Sequence, residues 1–275
     1  MSENIVSVRV WGDFACFTRP EMKVERVSYP VMTPSAARGI MEAIFWEPQM
    51  YYLIDSIRVV KKGRWVSFRR NEVKSVVSID SAQTWMKSPE KFSPIQAGGG
   101  APDMAQRNML AMEDVEYVIS AEVRLSQLGK VNGQPLRKYI DEFRRRAAQG
   151  KCYHRPALGV REFAADFEGI EDLAAMSLAD WPEEDLGLML YDVFDPHKRE
   201  EGFKWLDGDQ LDVVPSSGGQ SARRWEGRIL KPEAVFFRGV VRGSCVDCHP
   251  DRISLVGGTI GKGGVVACCC KPFTT

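Results

Sequence analysis

The sequence predicts an α+β fold, and three observations carry that prediction: short alternating strands, two helices with one apolar face each, and a strand, helix, strand, strand order near the N-terminus. Residues Ile5 to Trp11 (IVSVRVW) alternate, with Val6, Val8 and Val10 on one face, as a half-buried strand does. Thr33 and Pro34 then supply an N-cap and a proline at the first helical position. Ala37, Ile40, Met41 and Ile44 form that helix's apolar stripe, and Pro48 closes it. Tyr52 to Val60 and Trp65 to Val77 read as strands joined by the basic turn Lys61-Lys62-Gly63-Arg64. Elements in this order open a ferredoxin-like or RNA-recognition-motif (RRM-type) domain.

Residues Ser78 to Arg107 are rich in Ser, Pro, Gly and Gln and predict a long functional loop. Val115 to Leu125 (VEYVISAEVRL) alternates again as a strand, and Asn132-Gly133 marks a turn. Leu136, Ile140, Phe143 and Ala147 then fall on one helical face, and Gly150 ends that helix. Gly159 to Phe167 can supply the last strand of the sheet. Leu186 to Phe194, Gly202 to Leu206 and Gln210 to Val214 suggest a small antiparallel β subdomain. The expected domains are therefore 1–168 (ferredoxin-like, RNA-binding), 169–217 (small β subdomain) and 218–275, an irregular Arg/Gly/Cys-rich tail.

With 275 residues and 44% hydrophobic content, the chain can bury a sizeable core. No stretch approaches the roughly 18 apolar residues of a membrane span. Met1-Ser2-Glu3-Asn4 has neither a basic nor an apolar leader region, and seven unevenly spread cysteines suit a reducing compartment. A cytoplasmic protein is expected. The formal net charge of zero hides segregation. Arg58 to Lys74 holds seven Lys/Arg against Glu72, and Arg137 to Arg161 holds eight against Asp141 and Glu142. Asp166 to Asp212 reverses the balance, with 15 acidic residues against Lys198, Arg199 and Lys204. Solvated faces would explain one basic run; two, with the acidic residues elsewhere, suit a polyanion groove.

The second helix is the most suggestive element. At about 100° per residue, Lys138 and Arg145 lie within about 20° of each other, opposite the apolar stripe. Tyr139 sits at the flank, with Arg144 and Arg146 on either side. One face offers cations to phosphates while the other packs on the sheet; an ordinary surface helix would share these features.

The segment DFACFTRPEMKVERVSYPVMTPSAARGIMEAIFWEP, Asp13 to Pro48, resembles the N-terminal region of CRISPR-associated protein family five, subtype I-C. KYIDEFRRRAAQG, Lys138 to Gly150, is similar to that family's second helix, and LGVREF, Leu158 to Phe163, to its following strand. The resemblance spans roughly residues 5 to 215 and leaves the tail uncovered. It implies a ferredoxin-like fold with a C-terminal β extension. It also implies cleavage of precursor CRISPR RNA within the repeat, without metal or other cofactor, and retention of the 5′ handle. The partners it implies are CRISPR repeat RNA, the backbone and large subunits of a type I-C Cascade complex, and target DNA within that complex. A non-catalytic subunit capping the 5′ handle is the alternative.

The family's proposed cleavage group is an aromatic or imidazole side chain ending the first helix, a lysine, and a histidine after it. Those positions correspond to Phe45, Lys138 and Tyr139. Attack by a ribose 2′-OH needs a proton acceptor, a donor for the leaving oxygen and a cation for the phosphorane charge. Lys138 supplies the charge. Phe45 transfers no proton, and Tyr139 is a poor base unless Lys138 lowers its pKa from about 10. His154, beside Tyr153, could replace the missing imidazole, or be a surface loop residue. For RNA contact, the candidates are Phe14, Phe17, Arg19, Arg69, Arg70, Arg144, Arg145, Arg146 and Arg161. Core packing is the other reading of Phe14 and Phe17.

Cys245-Val246-Asp247-Cys248-His249 matches a c-type haem attachment pattern, but that requires export. Zinc held by Cys245, Cys248, His249 and one of Cys268, Cys269 and Cys270 is the alternative reading of the pattern, but three consecutive cysteines are an irregular ligand source. The expectation is a site with no metal. Gly257 to Gly264 lacks the spacing of a phosphate loop.

Overall fold

The computed structural model describes residues 3–170, 172–194, 212–215, 221–225, 228–229 and 233–257. A large antiparallel sheet with few helices dominates them. In chain order the elements are β1 (Ile5–Ala15), β2 (Arg26–Val27), α1 (Pro34–Ile44), β3 (Met50–Lys61), β4 (Arg64–Val73), α2 (Ile79–Lys87) and β5 (Met104–Leu125). Then come α3 (Gln127–Val131), α4 (Leu136–Ala148), β6 (Asp166–Gly169), β7 (Glu184–Phe194), β8 (Asp212–Pro215), β9 (Ser221–Trp225), β10 (Arg228–Ile229), β11 (Glu233–Arg242), β12 (Cys245–Asp247) and β13 (Leu255–Gly257).

Strands run in the order β13-β11-β12-β3-β5-β1-β6, with β2 and β4 also on β5 and β7 on β11. The central four, β3-β5-β1-β6, are antiparallel to their neighbours. One face of them carries Val6, Val8, Val10, Tyr52, Tyr117, Ile119 and Ala121 into the core. Helices α1 and α4 cover that face through Ile40, Met41 and Ile44 and through Ile140, Phe143 and Ala147. Both helices obey the end signals of the sequence. Thr33 caps α1 by accepting from the Ala36 amide at 3.3 Å, ahead of Pro34.

Four expectations change. The loop of residues 78–107 contains the helix α2, and β5 begins within it at Met104. Its first half pairs with β4 as an arm, from Arg64 opposite Glu113 to Val73 opposite Met104, with β2 on its other edge at Met109 and Leu110. The arm stands outside the main core, so its side chains carry no strong apolar alternation. The expected last strand, 159–167, is confined to 166–169. Upstream of it, the Leu158 carbonyl accepts the Cys16 amide at 3.0 Å, and Gly159 turns back with φ +89.

The tail is the third correction. Residues 233–242, 245–247 and 255–257 are strands of the main sheet, with Val235, Phe237, Val241 and Val246 buried in the common core. Fourth, β7 joins that sheet through β11 rather than standing in a separate one. Residues 202–206, Gln210, Leu211 and Cys268 to Cys270 lie outside the described residues, while the rest of the expected strand Gln210 to Val214 falls in β8, which pairs with β9 in a separate three-stranded sheet.

The turn at Gly159 admits no side chain. A Cβ there would sit 2.1 Å from the Cys16 carbonyl oxygen, whereas at Gly133 (φ +63) nothing lies within 4 Å. Gly133→Ala therefore costs about 1 kcal/mol, the left-handed penalty alone. Gly159→Ala costs about 3 kcal/mol, because main chain must move as well. Thermal unfolding of the two variants checks this; equal melting temperatures would show that the Cys16 approach imposes nothing.

Candidate nucleic-acid interface

Helix α4 buries Tyr139, Ile140, Phe143 and Ala147 and turns its cations outward. Most of those cations hold an internal partner. Arg137 donates to Asp141 at 2.8 Å. Arg145 forks onto Glu142 at 2.9 and 2.7 Å, and Arg146 reaches the same carboxylate at 2.8 Å. These hydrogen bonds, Arg145's first, pull Glu142 down to about 2. Arg144 donates to the Ile5 carbonyl at 3.1 Å. Lys138 is different. Its ammonium lies 3.5 Å from Gln134 Oε1 and 5.5 Å from the Tyr139 ring, with no carboxylate partner among the described residues.

The end of α1 lies against this helix. Phe45 is its C-cap and is 6% exposed; its carbonyl accepts from Tyr52 Oη at 2.8 Å, and the Arg146 guanidinium stands 5.4 Å over its ring. Phe45 thus packs against α4 through Arg146, while Lys138 lies beside Tyr139 nearer the start of that helix. Tyr139 is 1% exposed. Burial first, and then the Glu47 charge, push its hydroxyl pKa upward. Any lowering by Lys138 is outweighed, so Tyr139 is a poorer base than the sequence alone allowed.

The loop after α4 returns to the same place. The amides of Tyr153 and His154 both donate to the Ala43 carbonyl, at 2.8 and 3.0 Å. Their rings meet edge to face at 4.7 Å, and both side chains are exposed. Trp46, next to Phe45, is 51% exposed, and Tyr153 is 76% exposed. Trp46 is the exposed aromatic that the sequence reading passed over, and Tyr153, noted there only as the neighbour of His154, is exposed as well. The signal was a tryptophan directly after a helix cap, hidden by treating the segment only as a helix end.

The remaining candidates lie on other elements. Phe14 is half-buried in a cluster with Phe68 and Phe163, at 5.0 and 5.6 Å. Phe17 is 2% exposed, edge-on to Tyr117 at 5.9 Å, with its amide donating to Ser28 Oγ at 2.9 Å. Its place in the core leaves no face for a base, and it leaves the stacking set. Arg19 covers the Tyr29 ring at 4.6 Å and is 3.8 Å from Glu21. Arg70 is held by Glu162 at 2.8 Å and by Glu72. Arg69 and Arg161 are exposed and have no carboxylate partner among the described residues.

Two residues of the cysteine-histidine pattern are engaged otherwise. Cys248 is fully buried, and His249 bonds Glu122 through Nε2 at 3.0 Å while its Nδ1 accepts the Asp251 amide at 3.3 Å. Among the described residues no three His, Cys, Asp or Glu side chains gather as a metal site. No helix among them is long and apolar enough to cross a membrane.

Comparison with known proteins agrees with the resemblance. The family model Cas_Cas5d, described as CRISPR-associated protein (Cas_Cas5), matches residues 5–227. A protein of Mannheimia succiniciproducens named CRISPR pre-crRNA endoribonuclease Cas5d is 42% identical over 221 residues, covering 77% of this chain and 96% of that one. Its namesake in Thermus thermophilus is 39% identical over 205 residues, covering 72% and 79%. Two solved structures share the fold at 17% identity. A CRISPR-associated protein has a TM-score of 0.54 over 88% of this chain and 90% of that one. Protein SMU1763c of Streptococcus mutans has a TM-score of 0.54 over 90% and 92%.

The shared carboxylate on α4 yields a prediction. Glu142 neutralises Arg145 and Arg146, so Glu142→Gln frees two cations for phosphate. Affinity for single-stranded RNA should rise several-fold and the slope of log K against log salt should steepen by about 1. Filter binding at several salt concentrations measures both; an unchanged slope would place these arginines away from the nucleic acid.

Proposed function

Because this chain belongs to the Cas5d group of the CRISPR-associated Cas5 family, we propose that it binds CRISPR repeat RNA, cuts the precursor within the repeat, and stays on the 5′ handle of the product. Cleavage proceeds without metal, by attack of a ribose 2′-OH on the adjacent phosphorus. The core β3-β5-β1-β6 with α1 and α4 on one face is ferredoxin-like, and the RNA-contacting residues fall within 1–168. The partners are the other subunits of a type I-C Cascade complex, with target DNA bound in that assembly, and the compartment is the cytoplasm.

One observation carries this reading: the Lys138 ammonium is exposed, with no carboxylate partner among the described residues. A cation left unpaired, on a helix whose other arginines are mostly paired, is available to the charge that grows on a phosphorane. Arg144, Arg145 and Arg146 continue the charge along the helix toward the RNA backbone. Arg69, Arg70 and Arg161, near the Phe14, Phe68 and Phe163 cluster, offer a second set of phosphate contacts.

A second reading, a subunit that only caps the 5′ handle, draws on Phe45 and the buried Tyr139, neither of which exchanges a proton at neutral pH. Incubation with repeat RNA in EDTA separates the two: cut RNA supports the nuclease, and intact but shifted RNA the cap. Lys138→Ala should slow cleavage by about 100-fold or more. Tyr139→Phe, which deletes only a buried hydroxyl, should stay within about threefold of wild type. A Lys138→Ala rate equal to wild type would remove Lys138 from the chemistry.

A further inference from the structure

The three family positions leave the reaction without a proton acceptor. Phe45 has no ionisable group, Lys138 is a cation, and Tyr139 is buried with its pKa raised. A group that exchanges protons near neutrality must come from elsewhere, and an imidazole is the side chain that does so. Of the three histidines in the sequence, His197 lies outside the described residues and His249 is 6% exposed, engaged on both nitrogens by Glu122 and the Asp251 amide. His154 is exposed.

Its placement is fixed by main chain. The Ala43 carbonyl, two residues before Phe45 in the last turn of α1, accepts the amides of both Tyr153 and His154. That double bond ties the loop after α4 to the helix end where the family's first catalytic position lies. Arg146 over Phe45 and Glu47 near Tyr139 join the same end of α1 to both ends of α4. Beside His154, the Tyr153 ring at 4.7 Å is 76% exposed and offers a flat face on which an unpaired base can rest.

We propose that His154 is the proton acceptor of the cleavage, an inference that rests on the nuclease reading above. A free imidazole nitrogen of His154 takes the 2′-OH proton as that oxygen bonds to phosphorus. The bond from phosphorus to the 5′-oxygen breaks, and water at this exposed edge protonates the departing oxygen. The products are a 2′,3′-cyclic phosphate and a 5′-hydroxyl end.

The test is single-turnover cleavage of repeat RNA by the full chain carrying His154→Ala or His154→Gln, with and without added imidazole. Both variants should bind the RNA as wild type does, cut it about 100-fold more slowly, and recover when imidazole is supplied to His154→Ala. Either variant cutting at the wild-type rate overturns the proposal and leaves the nuclease reading standing. A slowed variant that imidazole does not rescue also overturns it, since His154 would then only position the loop. No cleavage by wild type would bring down the nuclease reading, and this proposal with it.

Discussion

The pairing of β5 is the constraint on which the rest of the structure depends. Its 22 residues serve β1 on one edge from Ile5 opposite Glu122 to Ala15 opposite Met112. On the other edge β3 and β4 follow in succession. Between Val115 and Val123, odd-numbered residues enter the core under the helices, while Glu116 and Ser120 face the other way toward Arg9 and Ser7. A slip of one residue would turn Glu116, Ser120 and Glu122 into the apolar layer beneath α4. Register is therefore strongly held, and with it the positions of both helices.

Legibility in the sequence follows from that geometry. Where a strand has one face in the core, as at Val6, Val8 and Val10, period two is visible and the strand is found. Where β5 runs out into the arm, Gln106, Arg107 and Asn108 hide it. In β11 the inward series Val235, Phe237, Gly239 and Val241 is broken by a glycine. That gap exists because Met189 Sδ would lie 2.4 Å from a Cβ there. Packing partners remote in sequence thus decided what local pattern could not. Phe17 teaches the same lesson at the candidate site: a Phe two residues after β1 looks the same in sequence whether it stacks on RNA or on Tyr117. Lys138, Arg145 and Phe45 could be placed from spacing and resemblance, but the state of Tyr139 required knowing that Glu47 and burial act together.

The cations of α4 are pre-ordered by their own acids. Glu142 holds two guanidinium groups in place, so fewer side-chain torsions would remain to be frozen by a phosphate, if the proposed RNA contact is made here. The same pairs compete with phosphate, and being exposed they contribute little to stability. This arrangement exchanges one anion for another rather than creating charge attraction from nothing. Lys138 has no such carboxylate partner among the described residues, which sets it apart from the arginines on the same helix.

The end of α1 that carries Phe45 and holds the His154 loop is positioned by residues far beyond the N-terminal half. Helix α1 is clamped to β7 by Arg38, which forks onto Asp192 at 2.8 and 3.0 Å and also holds Glu42 at 2.7 Å. Asp192 is 5% exposed, so losing its partner would leave a buried charge, a far larger penalty than any surface pair carries. Strand β7 in turn lies on β11, and β11 on β12, which returns to β3. Strands β7, β11 and β12 therefore close a ring of contacts from β3 back to α1. A helix whose far end must hold Phe45 against Arg146, and Ala43 against two loop amides, has its orientation set by that ring. The C-terminal strands are thus a structural requirement of the candidate site, although none of its side chains comes from them.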